Sequence, residues 1–180
     1  MKSLCQTLRI ILVLFLFASC DKFNTSDEKF EQNVLFQSEY INYAWGYVNS
    51  GWIIDSTGNV HVYNLPESWN NCDSLGFISD TAINYNISVT DSICMHIDKK
   101  DLLDKVSLIK RAAKGSYSDP EQEMCDAGIV SYYGYIYNKK TKKYQRILLR
   151  QRGDIKIVNE SGSAEQLYDW LKSVEQKINK

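Results

Sequence analysis

Residues 129–158, IVSYYGYIYNKKTKKYQRILLRQRGDIKIV, decide the fold. β-branched and aromatic residues fill seven of the first nine positions, a polar turn sequence NKKTKK interrupts them, and YQRILLRQ then follows before Arg152 and Gly153 break the chain again. The pattern predicts three successive strands over 129–137, 144–151 and 154–158. Connections this short make them antiparallel sheet neighbours. A period of two in the second strand puts Tyr144, Arg146, Leu148 and Arg150 on one face and Gln145, Ile147, Leu149 and Gln151 on the other. The more apolar face is expected to receive the helices.

The opposite face then becomes basic. Between Lys139 and Lys156 eight Lys and Arg residues stand against Asp154 alone, in a chain whose formal net charge is only −1. Arg146, Arg150 and Lys156 are the candidate anion-binding patch, since clustered positive charge steers anionic partners. Lysines at a hairpin tip and arginines on a solvent face also keep sheets from pairing edge to edge, which needs no partner. The tripeptide Arg152, Gly153 and Asp154 spells an adhesion motif, but glycine at a tight turn accounts for it.

On the C-terminal side, Ser163 and Gln166 form a capping box, and Leu167, Trp170, Leu171, Val174 and Ile178 make one apolar stripe of a helix docked on the sheet. On the N-terminal side, 39–65 reads as strand: Ile41, Tyr43, Trp45 and Tyr47 alternate with smaller residues. Residues 55–59 (DSTGN) then form a hairpin turn between 52–54 and 60–63, which is a better reading of Asp55 and Asn59 than a calcium loop. Pro66 ends that region, and 67–75 is loop with Trp69 folded back as a plug. Ser79 and Asp80 cap a short helix through Ile87. A second helix starts with Asp98 as cap, buries Leu102, Val106, Ile109 and Ala113, and stops at Gly115. Residues 116–126 form an acidic loop. The fold expected is α+β: an antiparallel sheet of about five or six strands with two or three helices packed on one face, all in a single globular domain spanning 34–180.

Residues 1–33 read differently. Lys2 and Arg9 precede the apolar run IILVLFLFASC at 10–20, the layout of a secretory signal. The run is about half the roughly 20 residues that crossing a bilayer requires. Its end, Phe17, Ala18, Ser19 and Cys20, resembles the lipobox of bacterial lipoproteins, with Phe17 where leucine is usual. That resemblance implies removal of 1–19 as the signal peptide, lipidation of Cys20 by a thioether diacylglycerol and an acylated amine, and attachment to the membrane through that anchor. Residues 20–33 then act as a flexible tether. Acidic Asp27 and Glu28 behind the cysteine resemble sorting signals of Bacteroidota surface lipoproteins, which implies a domain outside the cytoplasm and favours the outer membrane over the inner. The mature domain also resembles small Tyr-rich secreted bacterial domains of unassigned role, through residues 51–55 (GWIID), 126–128 (DAG), Gly153 with Asp154, and Trp170 with Leu171. That likeness implies one folded unit and no particular chemistry.

Twelve Tyr and four Trp against two Pro exclude a disordered stalk. Beyond the signal and Cys20, three cysteines remain, Cys72, Cys94 and Cys125, which allow one bridge and a thiol or three thiols. Their spacing fits no zinc motif, and no cofactor is implied. His61, between Val60 and Val62, reads as an exposed strand residue. Cys94, His96 and Asp98 share one strand face, but same-face neighbours lie about 6.6 Å apart, too far for a nucleophile and its base. Patterns for serine hydrolases, zinc proteases, NTPases and dinucleotide enzymes are absent, so no catalytic residue is assigned. Tyr132, Tyr133, Tyr135 and Tyr137 with Tyr40, Tyr43, Trp45, Tyr47 and Trp52 would suit sugar stacking if they shared a surface, though core packing is their commoner use. The function expected is that of a lipid-anchored envelope protein with a non-catalytic binding domain. Its partners would be an acidic protein or a surface polysaccharide, and not nucleic acid. The alternatives are a small envelope hydrolase whose acids converge only in the fold and a membrane-held immunity or inhibitor protein.

Overall fold

The structure is a computed structural model and describes residues 30–179. The proposed signal, Cys20 and the tether up to residue 29 lie outside the described residues. In chain order the elements are β1 (Val34–Asn42), β2 (Val48–Asp55), β3 (Asn59–Asn64), β4 (Phe77–Ser79), α1 (Asp80–Ser88), β5 (Ser92–His96), α2 (Lys99–Ala112), β6 (Glu121–Gln122), β7 (Ile129–Asn138), β8 (Lys143–Gly153), β9 (Ile155–Val158) and α3 (Gly162–Ile178).

All strand pairs are antiparallel, in the order β5-β3-β2-β1-β7-β8-β9-β6, with β4 added on β8. The class is α+β as expected, and β7, β8 and β9 are the three consecutive neighbours read from 129–158. The sheet has nine strands, however, not five or six. The surplus is short: β4, β5 and β6 hold three, five and two residues, too few for any periodicity to register. β1 is central and mostly buried, so its sequence VLFQSEYIN does not alternate. Strand structure stops at Asn42, and 43–47 make a protruding hairpin tip where alternation had suggested a longer strand.

Helices pack on two faces, not one. α2 and α3 cover Phe36, Trp52, Ile54, Val60, Tyr132, Ile147 and Leu149 with Leu102, Ile109, Leu167 and Leu171. α1 and residues 66–76 cover the other face, where Val34, Ile53, Tyr63, Tyr133, Tyr135 and Tyr144 meet Ile78, Ile83 and Trp69. Residues alternating along the central strands are apolar or aromatic on both sides, so each face needs a cover. Trp69 does plug its loop, stacking at 4.2 Å on Tyr63.

Ser79 caps α1 as read, its Oγ accepting from the Ala82 N–H at 3.1 Å. For α3 the cap is Ser161 rather than Ser163. Asp98 stands at the N-cap of α2 but its carboxylate makes no capping bond. Residues 30–33, expected to lie in the tether, bond to the sheet. Gln32 Nε2 donates to the carbonyls of Val34 at 2.7 Å and Tyr135 at 2.8 Å, and the Asn33 N–H donates to Tyr144 Oη at 2.9 Å. Gly153 has φ +110°, and Asp154 turns inward to accept from the Ala127 and Gly128 N–H groups at 2.8 and 3.2 Å. The Arg-Gly-Asp sequence is therefore built as a turn.

Candidate ligand-binding pocket

A β-bulge divides the expected basic patch. In the β7–β8 ladder Tyr132 pairs with Arg150 while the next residue, Tyr133, pairs with Leu148, which leaves Leu149 as the extra residue. The bulge shifts the alternation by one. Arg150 therefore lies on the helix side, its guanidinium 4.6 Å from the Tyr168 ring of α3, while Arg146 lies on the opposite side, 4.2 Å from the Tyr133 ring. Lys156, on β9, pairs with Glu121 at 3.0 Å. The three residues form no common surface.

Arg146 instead joins a buried polar group. Glu39 of β1 is the nearest acid, 3.6 Å from the Arg146 Nη1, and only 6% of its side chain is exposed, against 24% for Arg146. Beside them Gln37 bridges two tyrosines: its Nε2 donates to Tyr63 Oη at 3.0 Å, and Tyr135 Oη donates to its Oε1. Gly51, paired with both Glu39 and Tyr63, makes room for this arrangement; a Cβ there would meet Tyr63 Oη at 2.8 Å and the Ser38 carbonyl at 2.1 Å. Burial raises the Glu39 carboxyl above the usual carboxylate value, and the Arg146 charge and the Tyr133 hydroxyl oppose this without cancelling it. Burial likewise pushes the nearby Cys72 thiol up, away from nucleophilic use.

Arg146 also opens outward. It forms part of the wall of a cavity of about 530 Å³, with Tyr133, Leu148, Asp73, Tyr117 and Gln151 among its neighbours there. The cavity lies where β8 has no strand along its outer edge: β4 pairs only with residues 143–145, and β9 with Arg150 and Gln151. Glu39 stands behind Arg146 and does not line the cavity. The arrangement is a half-buried guanidinium held by an acid and a ring and bordering a partly apolar recess. Such a group binds carboxylate, phosphate or sulfate and has no assembled nucleophile beside it.

The other sequence candidates fall elsewhere. His61 is buried, not exposed; its Nε2 lies 2.8 Å from Asp55 Oδ2, and Asp55 also accepts from Thr57 N, Thr57 Oγ1 and Asn59 N. This pair clamps the 55–59 turn and lines no major cavity. Cys94 bonds weakly to the Val60 carbonyl and His96 to Asn59, so they do not form a dyad. Cys72, Cys94 and Cys125 are all unbridged. Among the described residues no group of three or more His, Cys, Asp or Glu is placed to hold a metal. The aromatic platform divides as well: Trp52, Tyr132, Tyr133 and Tyr135 are core, whereas Tyr43, Trp45 and Tyr47 are exposed on the hairpin tip, with Tyr43 and Tyr47 stacked at 5.3 Å.

Glu39 was missed by sequence reasoning, although a lone carboxylate amid the uncharged residues 32–54 was a signal that it would need a partner. Comparison with protein-family models, with curated proteins and with solved structures finds no match for this chain.

Proposed function

We propose that this chain is a lipid-anchored, non-catalytic binding protein of the bacterial envelope, held through Cys20, which takes an anionic group of its ligand at Arg146. The observation that carries the reading is the Arg146 guanidinium, backed by buried Glu39 and opening into the cavity of about 530 Å³. A recess of this size suits one acidic sugar residue or one acidic side chain, so an acidic polysaccharide or an acidic protein segment are the partner classes. The hydrolase alternative has less support, because Glu39 is screened from the cavity by Arg146 and Asp73 is the carboxylate that lines it. An immunity-type inhibitor would use the same acidic-partner chemistry on a protein target.

Titrating the lipoprotein with acidic and neutral oligosaccharides and acidic peptides tests the pocket. Binding of an acidic ligand should fall roughly 10- to 100-fold in Arg146→Gln, the loss of one charge-assisted pair, and should weaken with added salt. Equal affinity of the variant would sink the assignment. Intact-mass measurement of the mature protein tests the anchor separately: an unmodified Cys20 removes it.

A second reading rests on the hairpin tip. No charged residue occurs from Tyr40 to Ile54, and Trp45 is 86% exposed, a surface suited to the apolar face of a neutral sugar.

A further inference from the structure

The described chain begins at one end of the sheet, beside an unusual concentration of lysine. Residues 30–33 run along the end of β7: Gln32 Oε1 accepts from the Tyr137 N–H at 3.1 Å, and Lys139 Nζ reaches Glu31 at 2.6 Å. Next to them the β7–β8 turn carries Lys139, Lys140, Lys142 and Lys143, all exposed. The turn is well built, with Asn138 Oδ1 accepting from the Lys140 and Thr141 N–H groups at 3.0 and 3.3 Å. Lys142 sits at φ +52°, a left-handed conformation that glycine or asparagine adopts with less strain. Lys110, from the last turn of α2, adds to the same end, and its charge joins that of Lys139 in holding Glu31 below the usual carboxylate value. The acids that bond to this turn are Glu31, through Lys139, and Asp80, whose N–H donates to the Lys142 carbonyl at 3.0 Å; Asp55, opposite Val34 at the same end of the sheet, is buried against His61. Among the described residues, the five ammonium groups of this end therefore meet Glu31 and Asp80, with Asp55 withdrawn into its bond to His61.

We infer that this lysine end is a membrane-facing surface that binds the anionic phospholipid headgroups of the bilayer to which the anchor leads. The inference rests on the lipoprotein reading for the proximity of that bilayer. Nine residues lie between Cys20 and Phe30, and a random-coil chain of that length spans about 17 Å. That keeps the turn within about two screening lengths of the headgroups at physiological salt. Each ammonium brought to an anionic surface strengthens binding about fivefold, and the patch adds this electrostatic attraction to the hold of the acyl chains on Cys20. Orientation follows. β1 runs nine residues, about 30 Å, from the lysine end to the hairpin at Tyr43, so a domain seated on its lysines presents that aromatic tip away from the bilayer.

The test uses the full lipoprotein incorporated into vesicles of phosphatidylcholine alone or with roughly one third phosphatidylglycerol, and reads amine labelling of each lysine by mass spectrometry. Labelling of Lys139, Lys140, Lys142 and Lys143 should fall about fivefold on the anionic vesicles, relative to Lys156 and Lys177, and high salt should restore it. Lys140→Glu with Lys142→Glu, both in the exposed turn, should abolish the difference between the two lipids. Equal labelling on both lipids overturns the inference, and so does stronger protection by a soluble acidic polysaccharide than by the vesicles. Failure of the anchor is distinguishable: a chain that washes off phosphatidylcholine vesicles loses the Cys20 reading, while protection on anionic vesicles is still scored.

Discussion

The two faces of one sheet are built on different principles, although the strands that supply them are the same. On the α2 and α3 side, Phe36, Trp52, Ile54 and Leu149 meet Leu102, Leu167 and Leu171, and the polar atoms of Tyr132 are resolved at the margin, where its hydroxyl donates to Glu175. On the α1 side, one residue further along each strand, Glu39, Gln37, Tyr63, Tyr135 and Arg146 put charge and hydroxyls into the middle of the layer. The first arrangement stabilises by removing apolar surface from water, which is insensitive to pH. The second is held by partners that must all be present, and it is the side that opens to a cavity. The difference teaches how the two layers are held: the helix face by apolar packing, and the polar face by a bonded network that also borders the cavity where recognition is proposed.

The sharpest way to break that division is to damage the helix face. Leu167 is fully buried in α3, and Leu167→Ala should cost about 3–4 kcal/mol, read as a shift in the denaturant midpoint at unchanged slope. The loss should be the same at every pH where the protein folds. Next comes Arg146→Met, which leaves Glu39 buried without its cation and should cost about 3 kcal/mol at neutral pH. Here the pH dependence is diagnostic. The folded Glu39 carboxyl titrates above its unfolded value, so the folded state binds the proton more readily; the contribution of Glu39 to stability is greatest in acid and declines as pH rises through the folded pKa. Removing Arg146 removes an influence that lowers this pKa and should steepen the decline. A variant whose loss is flat with pH would show that Glu39 is not the group left stranded.

How far this contrast could be read in the residues depends on range. The strands over 129–158 were legible because alternation and turn chemistry are local, and α3 because its stripe repeats at 3.6 residues. The faces of β8 were not, because a bulge at Leu149 adds one residue to one strand and leaves the alternation of side chains in the sequence undisturbed. Arg150 was assigned to the side of Arg146 for that reason alone. The Glu39 pair with Arg146 joins residues more than a hundred positions apart, and the placement of α1 opposite α2 and α3 depends on both faces being apolar enough to need covering. Each of these is set by tertiary packing, which a period of two cannot express.

Asp55 sharpens the comparison within the polar face itself, since it lies on the same side as Glu39 and has the opposite sign. Burial raises its carboxyl, but the bonds from His61, Thr57 and Asn59 outweigh this and hold it below the usual value. Its contribution is therefore complete above the unfolded carboxylate pKa and is lost as pH falls through the lower, folded one. Asp55→Asn should cost about 2 kcal/mol at neutral pH and progressively less in acid, measured by thermal unfolding across that range. A constant penalty would mean that the turn is held by shape rather than by charge.

The smallest effect on stability is expected at the hairpin tip, and it separates folding from recognition most cleanly. Trp45 packs against nothing that a fold requires, being 86% exposed beyond the ends of β1 and β2, so Trp45→Ser should leave the unfolding midpoint within about 0.5 kcal/mol of the parent. An aromatic of that area left in water gains nothing for the isolated domain, and any consequence of removing it must appear in a complex. If the variant binds neutral oligosaccharides as the parent does, the tip has no part in recognition and the Arg146 pocket stands alone. If instead the midpoint drops by 1 kcal/mol or more, Trp45 is packed in solution, and neither the tip nor its separation from the core is as described.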